Sequence, residues 1–376
     1  MPRAPLFRLL SEPRATAERG LSRPLVSSFV LMLMMAVASP VLAQSATQAK
    51  EGAAKKVTSA AQKNDRKTRD AKARSQEVKK PKAQKVSVKR TTAKRQQGKS
   101  FARTDESGYD SLGSRLGLRS QLSEIALNSS AVMVVDQETG LPLLEKNSDV
   151  ALPIASITKV MTAIVTLDAD LSLSETITIE KEDAQLEKYS ASRLGVGARF
   201  TRAELLHLAL MSSENRAAQA LGRSYPGGLA AFVAAMNRKA DELGMTKSKF
   251  VEPTGLSSQN VSTPRDLSRL VNAAYAYPLV REYSTDREAI VRVGGRQQQF
   301  RNTNALTRNN EWDLGLSKTG FIRDAGKCLV MQATIDDQNV IIVMLDAQGS
   351  SKRISDAERI RKWLSADRDR QPAVRS

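Results

Sequence analysis

The sequence is poor in the residues that build disulfides, zinc sites and aromatic surfaces. Its 376 residues include one Cys, one His and 4% aromatic residues. A single Cys excludes a disulfide framework within the chain and a Cys-rich zinc module. A Ser-His-Asp triad would have to use His207, because the chain has no other His. A nucleophile that His207 does not activate needs a base other than histidine.

The positive charge of the chain is confined to its first hundred residues. The formal net charge is +18, of which residues 1–43 carry +3 and residues 44–100 carry +14. The remaining 276 residues carry 35 basic and 34 acidic side chains, a net charge of +1. The length allows one large domain with accessory segments, or two domains. We therefore expect an electrically ordinary globular domain behind a strongly basic segment.

Residues 1–43 have the pattern of a secretory signal peptide. Five Arg residues precede an apolar run at 25–38, and Pro40 separates this run from the Val-Leu-Ala sequence at 41–43. Small residues at these last positions favour cleavage by a signal peptidase. The apolar run is shorter than the ~20 residues of a membrane-spanning helix. An uncleaved anchor is the alternative, and under both interpretations the rest of the chain is exported.

We predict a disordered Lys/Ala-rich linker over residues 44–119. Residues 44–100 contain no aromatic residue and few large aliphatic ones, so they cannot bury enough apolar surface to offset the cost of ordering. Lys-rich segments also bind phosphate backbones, but export and the lack of stacking residues argue against nucleic acid. We expect contact with the anionic cell envelope through residues 44–100. A solvated spacer without a binding role is the alternative.

Residues 120–365 are predicted to form one α+β domain with an antiparallel sheet, followed by a polar tail at 366–376. Apolar alternation between turn residues predicts strands, and apolar residues at helical spacing behind capping residues predict helices. The predicted elements are strands near 131–135 and 141–146, helices at 156–167, 201–211, 229–243 and from 263, hairpins at 289–300 and 328–345, and a helix at 355–364. Strands, a block of helices, and further strands with a helix are typical of an α+β fold.

Ser156 and Lys159 form the only Ser-x-x-Lys sequence in the chain. At positions i and i+3 of a helix both side chains lie on one face, so the amine can reach the hydroxyl. A free Ser hydroxyl is a poor nucleophile and needs an adjacent base to take its proton. Lys can serve as that base where burial or a nearby positive charge lowers its pKa. A helix cap with a solvated Lys is the alternative for this motif by itself.

Two further segments add polar groups that such a nucleophile uses. Residues 213–215 (Ser-Glu-Asn) lie between two predicted helices, and residues 318–320 (Lys-Thr-Gly) lie on a predicted edge strand. Gly320 would let a substrate backbone approach closely. Each segment is weak evidence by itself, since residues 258–260 (Ser-Gln-Asn) also match Ser-x-Asn. Together and in this order, the three segments match the motif set of penicillin-binding proteins and class A β-lactamases.

The similarity extends beyond these motifs. Five stretches carry it: 153–163 (PIASITKVMTA), 209–218 (ALMSSENRAA), 250–256 (FVEPTGL), 301–304 (RNTN) and 318–321 (KTGF). With them the chain resembles the D-alanyl-D-alanine endopeptidases of the penicillin-binding protein 7 type, in peptidase family S11. The resemblance covers roughly residues 120–365 and does not include the basic segment. It implies a penicillin-binding protein/β-lactamase-like transpeptidase fold, with an antiparallel sheet and a helical cluster.

The resemblance implies roles for the residues of the reaction centre. Ser156 would form the acyl-enzyme with a D-Ala carbonyl group, and Lys159 would be its general base. Ser213 would relay a proton to the leaving amine, and Asn215 would hold the substrate amide and Lys159. The backbone N–H groups of Ser156 and Phe321 would form the oxyanion hole, where the loss of one donor typically slows a reaction by ~10²–10³.

The resemblance also implies a substrate and a place of action. Lys318 would supply positive potential for an anionic part of a peptide. Thr319 and Gly320 would lie beside it on the same strand and contact the substrate. The implied activity is penicillin-sensitive hydrolysis of D-alanyl cross-links of peptidoglycan in the periplasm, without a metal or cofactor. Peptidoglycan peptide stems would be the substrate, and β-lactams would be covalent inhibitors. The alternatives are a D-alanyl-D-alanine carboxypeptidase and a non-catalytic cell-wall-binding module.

Three other residues could carry chemistry, and the sequence favours a structural role for each. His207 lies in a Leu-rich predicted helix, where a packing or surface position is expected. Cys328 begins a predicted strand and is expected to be a small buried apolar residue. Glu252 could act as a deacylating base, as in β-lactamases, but its Pro-Thr-Gly loop is shared with the endopeptidases. We expect none of the three at the reaction centre.

Overall fold

A five-stranded antiparallel sheet lies at the centre of the part of the chain that the structure describes. The computed structural model describes residues 110–185 and 192–370. The strands of this part are β1 (Ala131–Asp136), β2 (Pro142–Lys146), β3 (Leu152–Pro153), β4 (Thr176–Thr178), β5 (Arg199–Thr201), β6 (Val261–Ser262), β7 (Glu288–Val293), β8 (Arg296–Arg301), β9 (Asp313–Ile322), β10 (Gly326–Ile335) and β11 (Gln338–Ala347). The central sheet has the order β2-β1-β11-β10-β9, which leaves β9 at an edge. The prediction that Lys318 and its neighbours lie on an edge strand is therefore confirmed.

Helices cover both faces of this sheet. They are α1 (Leu112–Arg115), α2 (Thr158–Asp168), α3 (Arg202–Met211), α4 (Asn215–Arg223), α5 (Gly228–Glu242), α6 (Pro264–Tyr275), α7 (Pro278–Thr285) and α8 (Ser350–Arg370). Alternate residues of β1 belong to two apolar clusters, one shared with α2 to α7 and the other shared with α8. Successive side chains of a strand point to opposite faces, so the sheet is buried on both sides. The α+β class predicted from the sequence is confirmed.

Helix α2 is the centre of the helical layer, and its sequence explains why. Every residue from Thr158 to Thr166 is buried, and the helix packs against α3, α4, α5, α6 and α7. A helix that is buried all round must satisfy its polar side chains inside the protein. Lys159 is one of these side chains and has no exposed surface. The surrounding elements must therefore supply partners for its amine.

The predicted capping and turn signals have the expected geometry. Thr201 and Glu204 form a reciprocal capping box at the start of α3, and Thr263 caps α6 with Pro264 in its first turn. The β7–β8 turn of the first predicted hairpin consists of two glycines with positive φ. The β10–β11 turn of the second consists of Asp336 and Asp337, both with positive φ. Asp is among the residues that tolerate this two-residue turn geometry.

The folded part extends beyond two predicted boundaries. Residues 110–119, which the sequence placed in the linker, include α1 and the buried Leu118. Arg119 donates a hydrogen bond to Asp346 at 3.0 Å, which fixes this segment to the end of β11. At the other end, α8 continues to Arg370, inside the predicted polar tail. The predicted signal peptide, residues 44–109 of the linker and residues 371–376 lie outside the described residues.

No helix in the ranges 110–185 and 192–370 is both long and apolar enough to cross a membrane. The apolar run predicted as the core of the signal peptide lies outside these ranges. Its assignment therefore stays a prediction from sequence.

Helix α8 fixes the segment that leads into β1 through one buried carboxylate. Asp356 has no exposed surface, and its two oxygens accept hydrogen bonds from the backbone N–H groups of Asn128 and Ser129. The Ser129 hydroxyl and the Asn128 amide also donate to it, at 2.8 and 2.7 Å. A buried acceptor of this kind cannot be replaced by a donor without leaving an N–H group unpaired.

Asp356→Asn should lower the free energy of unfolding by about 1–3 kcal/mol, because an amide nitrogen would face these N–H donors. Urea unfolding of the variant and the wild type measures the difference. An unchanged midpoint would contradict the structural role of Asp356.

Candidate active site

The predicted nucleophile lies in a strained turn at the start of the central helix. Ser156 is the middle residue of a 3-10 turn over Ala155–Ile157, which follows β3 and runs directly into α2. Ala155 has a φ of 49°, a left-handed conformation that is uncommon for residues with a Cβ atom. The Ala155 carbonyl accepts a hydrogen bond from the Thr158 hydroxyl at 2.8 Å. The turn thus holds Ser156 just before α2, which begins two residues later than the predicted helix.

Lys159 reaches the predicted nucleophile from the first turn of α2. Its Nζ lies 2.9 Å from Ser156 Oγ, 2.7 Å from Asn215 Oδ1 and 2.6 Å from the Thr254 carbonyl oxygen. The i to i+3 spacing therefore brings the amine and the hydroxyl together, as predicted. Two of the three contacts come from distant parts of the sequence, α4 and the loop before β6.

The second motif connects two helices beside Lys159. Ser213 has a φ of 62° and lies between the end of α3 at Met211 and the start of α4 at Asn215. This sharp change of direction lets the Ser213 hydroxyl and the Asn215 amide face the same centre. Asn215 contacts Lys159, and Ser213 Oγ accepts a hydrogen bond from Lys318 Nζ at 2.9 Å. The second motif thus connects the other two.

The third motif lies on β9, with its lysine inside the protein. Lys318 is 1% exposed, and its Nζ donates to Ser213 Oγ and to the Thr319 carbonyl oxygen. The Thr319 hydroxyl donates to Thr303 Oγ1 at 2.6 Å, so the predicted Arg-Asn-Thr-Asn stretch also lies at the site. Phe321 is 42% exposed, and Lys327 Nζ lies 3.8 Å from the centre of its ring.

The chain's own backbone comes close to Gly320. A Cβ atom on Gly320 would lie 2.9 Å from the Ile154 carbonyl oxygen and 3.0 Å from Ser156 N. The backbone that comes close is therefore the Ser156 turn, and the approach of a substrate backbone at Gly320 stays a prediction. The lack of a side chain lets β9 pack directly against the Ser156 turn, which places residue 321 beside it.

Burial and nearby charges both change the pKa of Lys318. Burial lowers the pKa of Lys318 well below its usual value, and the charges of Lys159 and Arg353 lower it further. An anionic group that enters the site would have the opposite effect, because an opposite charge within ~4–6 Å favours the charged amine. The site thus contains two buried amines, and the charge of Lys318 depends on the groups around it.

Glu252 is not placed to act as a base. Its oxygens accept hydrogen bonds from the backbone N–H groups of Thr254, Gly255 and Ser257, from the Thr254 hydroxyl and from the Asn260 amide. A carboxylate has about four lone-pair positions, and these donors occupy them. The alternative role as a deacylating base is thus not supported by the geometry.

His207 and Cys328 have the structural positions that the sequence predicted. His207 stacks on Tyr283 with ring centres 4.6 Å apart, and its Nε2 lies 3.0 Å from Asp286. Cys328 is fully buried on β10, and burial raises the pKa of its thiol to about 12. Within the described ranges, no group of three or more His, Cys, Asp and Glu residues could hold a metal ion.

The sequence did not predict three contributors to this centre. The Thr254 carbonyl contacts Lys159, but a backbone oxygen has no side-chain signal. Thr303 lies in a stretch that only the resemblance marked. Arg193 pairs with Glu214, the middle residue of the second motif, at 3.1 Å, and the Ser192 hydroxyl donates to the same carboxylate. For the Thr254 carbonyl, the one local signal was the Pro-Thr-Gly sequence at residues 253–255, which is typical of a turn.

Comparison with known proteins identifies the family. The family model of D-alanyl-D-alanine carboxypeptidases, peptidase S11, matches residues 119–349. The chain belongs to this peptidase family. The predicted hydrolase class and the resemblance to serine D,D-peptidases are therefore confirmed.

Members of the S11 family are similar to the chain in sequence and in structure. A D-alanyl-D-alanine endopeptidase of Pseudomonas aeruginosa is 49% identical over 240 residues, 63% of this chain and 77% of that protein. One of Escherichia coli K12 is 44% identical over 244 residues, 64% of this chain and 79% of that protein. Penicillin-binding protein D2 of Listeria monocytogenes, solved in its cefotaxime-bound form, superposes with a TM-score of 0.57 at 30% identity, over 64% of this chain and 98% of that one. These matches confirm the predicted transpeptidase fold.

The lowered pKa of Lys318 predicts a pH-dependent stability of this S11 peptidase. Between the folded-state pKa and the unfolded value of ~10.4, the unfolded chain binds a proton that the folded chain does not. The free energy of unfolding should therefore rise with pH in this window, by up to about 1.4 kcal/mol per pH unit, relative to Lys318→Met. Urea unfolding of both proteins from neutral pH to about 10 measures the difference. Parallel pH profiles would contradict the assignment.

Proposed function

We propose that the chain is an exported D,D-endopeptidase that hydrolyses D-alanyl cross-links of peptidoglycan through an acyl-enzyme on Ser156. The observation that carries the proposal is the position of Lys159 Nζ, 2.9 Å from Ser156 Oγ. A general base must lie within hydrogen-bond reach of the proton that it removes, and this pair satisfies that condition. Membership of the S11 family and the two endopeptidase relatives support the choice of substrate.

Acylation uses the three motifs together. Ser156 Oγ attacks the D-Ala carbonyl carbon while its proton passes to Lys159 Nζ. The negative charge that develops on the carbonyl oxygen is stabilised by the N–H groups of Ser156 and Phe321. The C–N bond then breaks, and the leaving amine receives a proton through Ser213 Oγ, which Lys318 contacts. The packing of Gly320 on the Ser156 turn supports the pairing of the two N–H groups.

Deacylation returns the site to its starting state. Water attacks the ester carbonyl carbon and gives a proton to Lys159 Nζ. The bond between the carbonyl carbon and the Ser156 oxygen then breaks, and Lys159 returns that proton to the Ser156 oxygen. Substrate binding uses the edge strand, because a peptide in extended conformation can lie along β9. Asn215 holds the substrate amide, and Lys318 and Thr319 receive an anionic group of the peptide.

Carboxypeptidase activity is the second candidate, and the description of the matched family model favours it. The two activities differ in the leaving group, which is a cross-linked amine for an endopeptidase and free D-Ala for a carboxypeptidase. A non-catalytic cell-wall sensor would have neither of these activities. The contacts among Ser156, Lys159 and Asn215 disfavour such a sensor.

The location of the enzyme and its basic segment are part of the proposal. We infer that residues 1–43 direct export to the periplasm and that residues 44–100 contact the anionic envelope. The names of the family and of the two relatives, D-alanyl-D-alanine carboxypeptidase and endopeptidase, support a site of action outside the cytoplasm, where D-alanyl cross-links of the cell wall lie. Co-sedimentation with purified cell walls, with and without residues 44–100, tests the contact. Equal sedimentation of the two chains would show that this segment is only a spacer.

Labelled penicillin should acylate the wild type with a stoichiometry of about one and should not label Ser156→Ala, because the ester requires the Ser156 oxygen. Ser258→Ala is the matched control, since Ser258 is exposed and belongs to a second Ser-x-Asn sequence. It should be labelled like the wild type. Labelling of Ser156→Ala, or none of the wild type, would sink the proposal.

Purified sacculi should lose their cross-linked muropeptides when treated with the enzyme, and the products should be uncross-linked monomers. Chromatography of the muropeptides after digestion measures this, with Ser156→Ala as the inactive control. Release of free D-Ala with the cross-links left intact would instead establish the carboxypeptidase.

A further inference from the structure

The turn at residues 252–255 is built around the buried carboxylate of Glu252. Glu252 Oε2 accepts from the Thr254 N–H and hydroxyl at 2.6 and 2.5 Å, and Oε1 accepts from the Gly255 N–H at 2.7 Å. The Asn260 side chain donates to the same Oε1 at 2.9 Å and accepts from the Val251 N–H at 2.7 Å. The conformation of the turn is thus set by one side chain that none of the three motifs contains.

This turn contacts the central helix at two successive carbonyl groups. The Pro253 carbonyl accepts from the Thr162 hydroxyl at 2.7 Å, and the Thr254 carbonyl accepts from Lys159 Nζ at 2.6 Å. Asn260 extends the contact, because its Nδ2 donates to the Thr158 hydroxyl at 3.1 Å. The Glu252 turn is therefore fixed to three residues of the first turns of α2.

The same turn also abuts the nucleophile. Gly255 has a φ of 83°, and a Cβ atom there would lie 1.9 Å from the Ala155 carbonyl oxygen and 2.8 Å from Ser156 N. Only a residue without a side chain fits this approach. Ser156 and Lys159 are thus both positioned against one turn.

The role of the Thr254 carbonyl follows from the number of N–H donors on a neutral amine. To take the proton of Ser156, Lys159 must be neutral, with two N–H bonds and one lone pair. Asn215 Oδ1 and the Thr254 carbonyl oxygen lie 2.7 and 2.6 Å from Nζ and can accept these two N–H bonds. When they receive the two N–H bonds, the lone pair points at Ser156 Oγ.

We propose that Glu252 is a positioning residue for the general base: its carboxylate holds the Thr254 carbonyl where that carbonyl directs the lone pair of Lys159 toward Ser156. This inference rests on the proposed acyl-enzyme mechanism and deepens it. Glu252 does not touch the substrate or the reacting atoms. It acts on the rate through Thr254 and Lys159.

Glu252→Gln places an amide nitrogen among the N–H donors of the turn and tests this role. The rate constant of acylation at saturating penicillin should fall about 10- to 100-fold, since misplacement by ~1 Å can cost that much. The half-saturating concentration and the final labelling stoichiometry should change little, because substrate contacts remain. The rate is measured by stopped-flow or quenched labelling and normalised to the fraction of protein that becomes labelled.

Asp356→Asn is the matched control for loss of stability. It makes the same change of carboxylate to amide, at a buried residue with two backbone N–H donors, on the opposite side of the sheet. Its normalised acylation rate should equal that of the wild type. If Asp356→Asn slows acylation as much as Glu252→Gln does, general destabilisation explains both, and the positioning role is wrong.

A second pair of variants keeps the test decisive if Glu252→Gln does not fold. Thr254→Val keeps the branched shape but loses the hydroxyl that donates a hydrogen bond to Glu252, whereas Thr254→Ser keeps this hydroxyl. The Ser variant should be acylated faster than the Val variant at saturating penicillin. Equal rates, or a wild-type rate in Glu252→Gln, would overturn the inference and leave the proposed function standing. A wild type that is not acylated at all would instead refute the proposed function.

Discussion

The structure of the site depends on the burial of one amine. Lys159 lies on a helix that is enclosed by five others, and a buried amine is costly unless its hydrogen bonds are satisfied. Its partners come from three separate segments: the Ser156 turn, the start of α4 and the Thr254 carbonyl. The helical layer must therefore converge on this point, and in the proposed mechanism the same contacts that stabilise the amine also orient it for proton transfer.

The sheet supplies the other half of the site. β9 lies at the edge of the sheet, so one side of the strand is available to an extended peptide. Gly320 lets this strand pack against the Ser156 turn, and Lys318 connects it to Ser213. Burial lowers the pKa of the second buried amine, Lys318, and in the proposed mechanism an anionic group of the substrate would favour its charged form. Binding and electrostatics are thus coupled at the edge strand.

The sequence predicted the side chains of the site better than its backbone. Ser156 and Lys159 were predictable because helical spacing dictates their contact, and residues 318–320 because they complete the set of three motifs. The Thr254 carbonyl was not, since any residue type presents a carbonyl. The short helix α7 was also missed, and residues 110–119 were placed in the linker although they contain the buried Leu118. Gly320 was predicted for its lack of a side chain, and the approach of the Ser156 turn to it was not.

The central claim is that Ser156 is the nucleophile that Lys159 activates. Mass spectrometry of the penicillin-treated protein tests it most directly. Cleavage after Lys146 and Lys159 yields the peptide of residues 147–159, which contains Ser148 and Ser156. The account predicts one penicilloyl group in this peptide, with fragment ions that place it on Ser156. An adduct on Ser148 or in another peptide, or no adduct, would contradict it.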